Sequence, residues 1–293
     1  MKTHSHHSTA PIPPSIGAYF NYGWQIFSKK AGLMLGYFFV TWLMYIGTFL
    51  LTMPISIALA QLSPLVMALG VMLMAAAVVI VWLCLINGNY LIAAGIDQGE
   101  PVSIRTGFGA LKKWGPLLGG NFLKGLIAYS PYLIGFGIWI IQYGEIMQQE
   151  ILALKSDSIS DPVEAMSTVF SFYGTILGSL FTHVPFLIGL VITGYLSVAF
   201  SLTNAYILVG NRTAVDALKS SFRLVNAHFG SVFGTFILLG FIVLASFLVP
   251  LGTFVIMPFT NCLLYGIYAV HEQPKGAYEE MLDEFGDPSE TDF

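Results

Sequence analysis

The chain has 293 residues, of which 56% are apolar and only 10% charged, where a soluble domain carries about 25% charged residues. Between Lys30 and Asp97 lie 66 consecutive residues without Asp, Glu, Lys or Arg, far more than the roughly 20 that one membrane-crossing helix needs. These figures exclude a soluble globule, a fibrous protein and a disordered chain, and the unbroken apolar runs argue against the alternating pattern of an outer-membrane barrel.

In chain order, residues 1–14 form a tail with His4, His6 and His7 and with Pro11, Pro13 and Pro14. Imidazoles can ligate zinc or copper, but nothing rigid would hold these three, so no metal and no cofactor is expected. No apolar core precedes Ala31, so no cleavable signal peptide is read here. Six spans follow, at about 32–53, 65–87, 117–141, 185–209, 231–249 and 252–270. Pro54, Pro64, Pro116, Pro185 and Pro250 fall at their ends, where a missing amide does least harm. Pro131 and Pro258 fall inside spans and should kink them. Residues 143–183 form one long external segment, within which residues 166–180 are apolar enough to lie on or dip into the outer leaflet. Seven of the sixteen acids crowd into the last fifteen residues, so residues 273–293 read as an acidic flexible tail and the rest of the chain is slightly basic. Cys84 and Cys262 lie in apolar runs, where a thiol behaves as a small hydrophobe.

Cationic residues are retained on the cytoplasmic side during insertion. Six spans with both termini cytoplasmic put eleven Lys and Arg residues inside and only Lys155 outside. Counting residues 166–183 as a seventh span would make the split 7 to 5, and that topology is rejected.

The chain also resembles itself. Three units, at about 15–95, 102–210 and 213–272, each begin with a short amphipathic helix that runs through a glycine pair into a span. The apolar stripes are Ile16, Phe20, Trp24 and Phe27, then Ile104, Phe108, Leu111 and Trp114, then Leu218, Phe222, Val225 and Phe229. Steps of three and four place each set on one helix face. Lys29 and Lys30, Lys112 and Lys113, and Lys219 and Arg223 are left for the polar side, a pattern that suits a helix lying in the cytoplasmic interface against anionic headgroups. The glycine pairs are Gly32 and Gly36, Gly115 and Gly119, and Gly230 and Gly234, read as bare faces where another helix packs closely. Among the descending spans, Asn89 and Asn204 each precede a glycine, Gly95 and Gly210, by six residues, and Asn261 sits at a similar depth.

An asparagine in hydrocarbon is costly unless paired, so Asn89, Asn204 and Asn261 should face one another or water. They either line a site for a headgroup or small polar solute, or bond to neighbouring helices as structural glue. Lys124 is the one cation well inside a span. It reads as an anion contact or, since no span supplies an acid, as a side chain snorkelling to the headgroups. No catalytic or phosphate-loop signature appears, and the basic patches are too small for nucleic acid, so neither an enzyme nor a nucleic-acid partner is expected.

The basic helix, glycine elbow and paired spans, seen in Trp114-Gly115-Pro116-Leu117-Leu118-Gly119 and Phe229-Gly230-Ser231-Val232-Phe233-Gly234, resemble a group of bacterial inner-membrane families over residues 15–272. These include six-span proteins and the membrane domain attached to some glycerophosphodiester phosphodiesterases. The resemblance implies a six-span inner-membrane bundle. No phosphodiesterase domain is attached here, so that activity is not implied. The expectation is an all-α polytopic bundle with no catalytic role, engaging anionic lipid and scaffolding a membrane complex with a protein partner or remodelling the local bilayer. The second reading is a transporter or channel for an amphiphilic or small polar solute.

Overall fold

The computed structural model describes residues 15–60, 64–156, 162–249 and 252–272, and both expected tails lie outside them. Every regular element among the described residues is helical: α1 (Ile16–Lys29), α2 (Ala31–Ala60), α3 (Pro64–Ile86), α4 (Asn89–Asp97), α5 (Ile104–Phe108) with a 3-10 turn (Gly109–Lys113), α6 (Trp114–Ser156), α7 (Pro162–Thr182), α8 (Val184–Ala199), α9 (Thr203–Leu208), α10 (Ala214–Ala227), α11 (Phe229–Ser246) and α12 (Gly252–Glu272). Six stretches are long and apolar enough to cross a bilayer: Ala31–Thr52, Leu65–Asp97, Ile104–Gly144, Val184–Leu208, Phe229–Ser246 and Gly252–Glu272. The chain is a multi-pass helical membrane protein. Its spans turn large apolar side chains outward, with Leu73 and Ile141 72% and 82% exposed, which is affordable only where lipid is the solvent.

Two compact units divide the chain, Met1–Gly120 with Ser201–Phe293, and Asn121–Phe200. In the first, α12 is the central helix. Phe259, Cys262, Leu263, Tyr265, Ile267, Tyr268 and Ala269 are all buried on it, and α1, α2, α4, α9 and α11 pack around it. Helix α1 meets α12 so closely that a Cβ on Gly23 would stand 2.8 Å from the Leu263 backbone. It buries Tyr19, Tyr22, Ile26 and Phe27 there and leaves Trp24 57% exposed at the edge of the contact, its ring centroid 6.0 Å from that of Phe259.

In the second unit, α6 and α8 approach through Gly135, whose Cβ would lie 2.6 Å from the Pro185 carbonyl, and Gly189, which abuts the Pro131 carbonyl. Small residues let backbones meet and gain dispersion contacts, the main attraction between helices in lipid. An aromatic run along α6, Tyr132, Phe136, Trp139 and Tyr143, stacks at centroid spacings of 5.5 to 6.0 Å. Pro131 brings no amide to bond the Ile127 carbonyl, and the Ser130 hydroxyl donates to that oxygen at 3.1 Å.

The helix boundaries differ from expectation at α6. Helix α6 has 43 residues, about 65 Å at 1.5 Å per residue, so the expected span at 117–141 is its first part and the helix runs on to Ser156. The described residues of the segment expected to be external are therefore mostly helical, in the end of α6 and in α7, which is not among the six bilayer-length apolar stretches. Trp139 donates to Ser179 at 3.2 Å, and His183 and Gln142 share a 2.8 Å bond, which ties the C-terminal end of α7 to α6. Pro54 lies inside α2 but just past its bilayer-length stretch Ala31–Thr52, at a span end as expected, and Pro131 and Pro258 lie inside helices.

Two stretches are interrupted. Leu65–Asp97 breaks at Asn87 and Gly88, between α3 and α4, and Val184–Leu208 breaks at residues 200–202, between α8 and α9.

Candidate functional site

The first break gathers the asparagines. Residues 87 and 88 read Asn-Gly, a turn signal rather than a helical one, and a Cβ on Gly88 would collide with the Tyr37 hydroxyl and the Gly107 carbonyl. Where a helix stops in hydrocarbon, its freed carbonyls must find donors. Tyr37 donates to the Leu85 carbonyl at 2.7 Å and the Asn87 amide to that of Leu83 at 2.7 Å. The Asn261 amide donates to the Ile86 carbonyl at 2.9 Å. Asn204, from α9, donates to the Asn87 side-chain oxygen at 2.9 Å.

The three asparagines flagged by sequence therefore do not all face one another. Asn204 and Asn261 reach the broken turn, the first through Asn87 and the second through a backbone carbonyl. Asn89 is fully buried, and neither atom of its amide has a hydrogen-bond partner among the described residues. Asn87 and Tyr37 were absent from the expected cluster. The Asn-Gly pair could have pointed to Asn87, since a turn inside an apolar run creates acceptors that need donors.

A second polar network joins the ends of α4, α9 and α12 to α1 and α10. Asp97, last residue of α4, accepts from Tyr22 at 2.6 Å and from Tyr265 at 2.7 Å. Burial, and then the Asp97 charge, raises the Tyr22 pKa far above the ordinary phenol value, so this hydroxyl stays a donor. Glu272 accepts from Tyr206 at 2.8 Å and pairs with Arg212 at 2.9 Å. The guanidinium of Arg212 lies 4.8 Å from the Tyr206 ring centroid and also donates to Ser220. Arg212 is folded back to this place by Asn211, which takes the left-handed conformation (φ 52°) that asparagine tolerates better than most residues. The Arg212 amide then donates to the Tyr206 carbonyl at 3.1 Å. Nearby, Tyr19 shares a 2.8 Å bond with His271, whose ring stacks on His228 at 4.1 Å. Asp97 and Glu272 escaped the sequence reading because they stand at span ends, where a carboxylate looks like an ordinary loop acid.

The basic residues sort into two groups. Lys29, Lys30 and Lys112 are exposed. Lys113 does not face lipid as expected, because its ammonium donates to the Leu208 carbonyl at 2.7 Å and the Ile207 carbonyl at 3.2 Å. A cation there satisfies the last acceptors of α9 and meets the negative end of the helix dipole. On α10, Ala217, Leu218, Leu224 and Val225 are buried, while the exposed side carries Lys219 and Arg223. With Arg212, Asp216 and Ser220, these line an open cavity of about 400 Å³. Among the described residues, neither Lys219 nor Arg223 forms an ion pair. Lys124 lies half-buried in α6 and likewise forms no ion pair there.

The expected packing role of the glycine pairs is corrected. A Cβ on Gly32, Gly36, Gly115 or Gly230 would meet nothing within 4 Å. Gly119 faces Ala214 at an ordinary 3.6 Å, and only Gly234 is a close contact, at 2.5 Å from the Ile16 side chain. Close backbone approach occurs instead at Gly23, Gly135 and Gly189, in the middle of contacting helices. No protein-family model matches the chain, and no curated protein and no solved structure matches it.

Proposed function

We propose that this chain is a non-catalytic multi-pass protein of the bacterial inner membrane, with both termini cytoplasmic. Its basic helices engage anionic lipid, and its bundle scaffolds a membrane complex or remodels the local bilayer. The observation that carries this reading is α10. One side of that helix is buried through Ala217, Leu218, Leu224 and Val225, and the other presents Lys219 and Arg223 with no carboxylate paired to them among the described residues. Helix α1 supports it in the same way, with Trp24 outward and Lys29 and Lys30 exposed at its end. Amphipathic helices with aromatic and basic residues at the headgroup level are favoured at such an interface.

The threefold repeat belongs to this reading. If Gly95 is set on Gly210, Asn89 falls on Asn204, and each stands just after a broken turn. The third descending helix has Pro258 three residues before Asn261.

The test is reconstitution in nanodiscs of neutral lipid with a graded share of anionic lipid. Each cation near an anionic surface contributes about 1 kcal/mol, which salt screens. Thermal stability should rise with anionic content at low salt, and the rise should shrink at high salt and in a Lys219→Ala/Arg223→Ala variant. Stability independent of lipid charge and salt would remove the proposal.

A second reading, transport of an amphiphilic or small polar solute, has one observation in its favour: the buried Asn89 amide beside a discontinuous span. The other amides at this turn are engaged, Asn87 and Asn261 in bracing the backbone and Asn204 in holding the Asn87 side chain, which favours the first reading. A cysteine at position 89 that reacts with a small aqueous thiol reagent would reverse the preference.

A further inference from the structure

The cavity beside α10 differs from a diffuse basic surface in one respect: one of its three cations is held in place. Arg212 is fixed by the Glu272 carboxylate, the face of Tyr206 and the Ser220 hydroxyl, so the cost of ordering a long flexible side chain is already met within the fold. Within α10, Asp216, Lys219 and Arg223 follow at steps of three and four, so Lys219 and Arg223 project from the same side of the helix into the cavity that Arg212 and Ser220 also line. A guanidinium has five N–H donors in a planar fork suited to phosphate oxygens, and an ammonium adds a point charge.

The charge balance narrows the ligand. Arg212 is neutralised by Glu272. Asp216 also lines the cavity, and its carboxylate accepts from the Thr213 hydroxyl at 2.7 Å at the helix N-cap. Lys219 and Arg223 then outweigh Asp216 by a single positive charge. That surplus suits a phosphodiester, which carries one negative charge, and the Ser220 hydroxyl can serve its remaining oxygen. The cavity is open on one side and about 400 Å³ in volume, large enough for a headgroup and too small for a folded partner.

We infer that the Arg212, Lys219, Ser220 and Arg223 cavity is a discrete site for one singly charged phosphate group, as in a phospholipid headgroup. This rests on the anionic-lipid reading above and adds to it a stoichiometry and a chemical preference. The same phosphate chemistry could come from a lipid or from a free phosphate ester in the cytoplasm.

Native mass spectrometry on the full-length protein in detergent tests it, with phosphatidylglycerol, oleate and inorganic phosphate as probes. Phosphatidylglycerol should fill one saturable site, while oleate, with the same charge on a carboxylate, should bind it about tenfold more weakly or worse. Loss of the two charged contacts in Lys219→Ala/Arg223→Ala should weaken phosphatidylglycerol binding about tenfold or more. The milder Arg223→Gln should weaken it severalfold with the melting temperature unchanged, and Arg105→Ala, at an exposed cation outside the cavity, should leave the site intact. Displacement of the lipid by millimolar phosphate would assign the site to free phosphate as well as lipid, and resistance would assign it to lipid alone. Equal binding of oleate, or a double variant that binds like the parent, would overturn the inference. If stability in nanodiscs still followed lipid charge, only the discrete site would fall; if that dependence were also missing, the anionic-lipid reading would fall with it.

Discussion

Asp97 shows how a membrane bundle handles a carboxylate at the end of a span. Two tyrosine hydroxyls from different helices converge on it, Tyr22 from α1 and Tyr265 from α12, and hydrogen bonds to a charged acceptor contribute about 1.5–3 kcal/mol each. Tyr265→Phe should therefore lower stability by that amount, read as a drop in the thermal or SDS-induced unfolding midpoint in detergent. An unchanged midpoint would mean that the Asp97 network is incidental. The Asn87–Asn204 bond should be weaker, since interhelical hydrogen bonds in membranes average about 0.6 kcal/mol and reach about 1.7. A double-mutant cycle with Asn87→Leu and Asn204→Leu should return a coupling in that range, and a coupling of zero would show that the two amides do not act on each other. At this scale the polar residues of the broken turn were legible, because an amide in an apolar run must be explained. Their partners were not. Asn204 and Asn87 are 117 positions apart, and nothing local says which of several acceptors an amide will reach.

Helix boundaries were readable wherever hydrocarbon sets them and less so elsewhere. The six apolar runs, the prolines inside α6 and α12 and the short helices ahead of the spans all follow from length, proline chemistry and the 3.6-residue period. The extension of α6 to Ser156 was missed because Glu145 and Glu150 end the apolar pattern without ending the helix: a polar helix needs no continuous hydrophobic run. The glycines misled for a related reason. Spacing of four places two glycines on one face but does not say that another helix lies against that face. Gly36→Ala should thus be neutral or stabilising by up to about 1 kcal/mol, since alanine is the better helix former. Gly189→Ala, whose new methyl would meet the Pro131 carbonyl, should cost about 1–3 kcal/mol through overpacking. Unfolding midpoints of the two variants decide this, and equal effects would contradict the assignment of close packing to Gly189.

Across the whole molecule, the strongest signal in the sequence is where the twelve Lys and Arg residues fall. The division into two compact units left no such trace, because both are built from apolar helices and no linker composition separates them. The lipid-engaging role assigned to α1 and α10 requires that both lie on the same side as Lys112. It also requires that the far end of α6 lie on the other. In a chain with Cys84 and Cys262 replaced by serine, single cysteines at Ser28, Lys112, Ala227 and Gln148, all exposed positions, can be challenged in intact cells with a membrane-impermeant maleimide. The account predicts labelling at position 148 alone, with the other three reacting only after permeabilisation. Labelling of position 28, 112 or 227 from outside intact cells would contradict it.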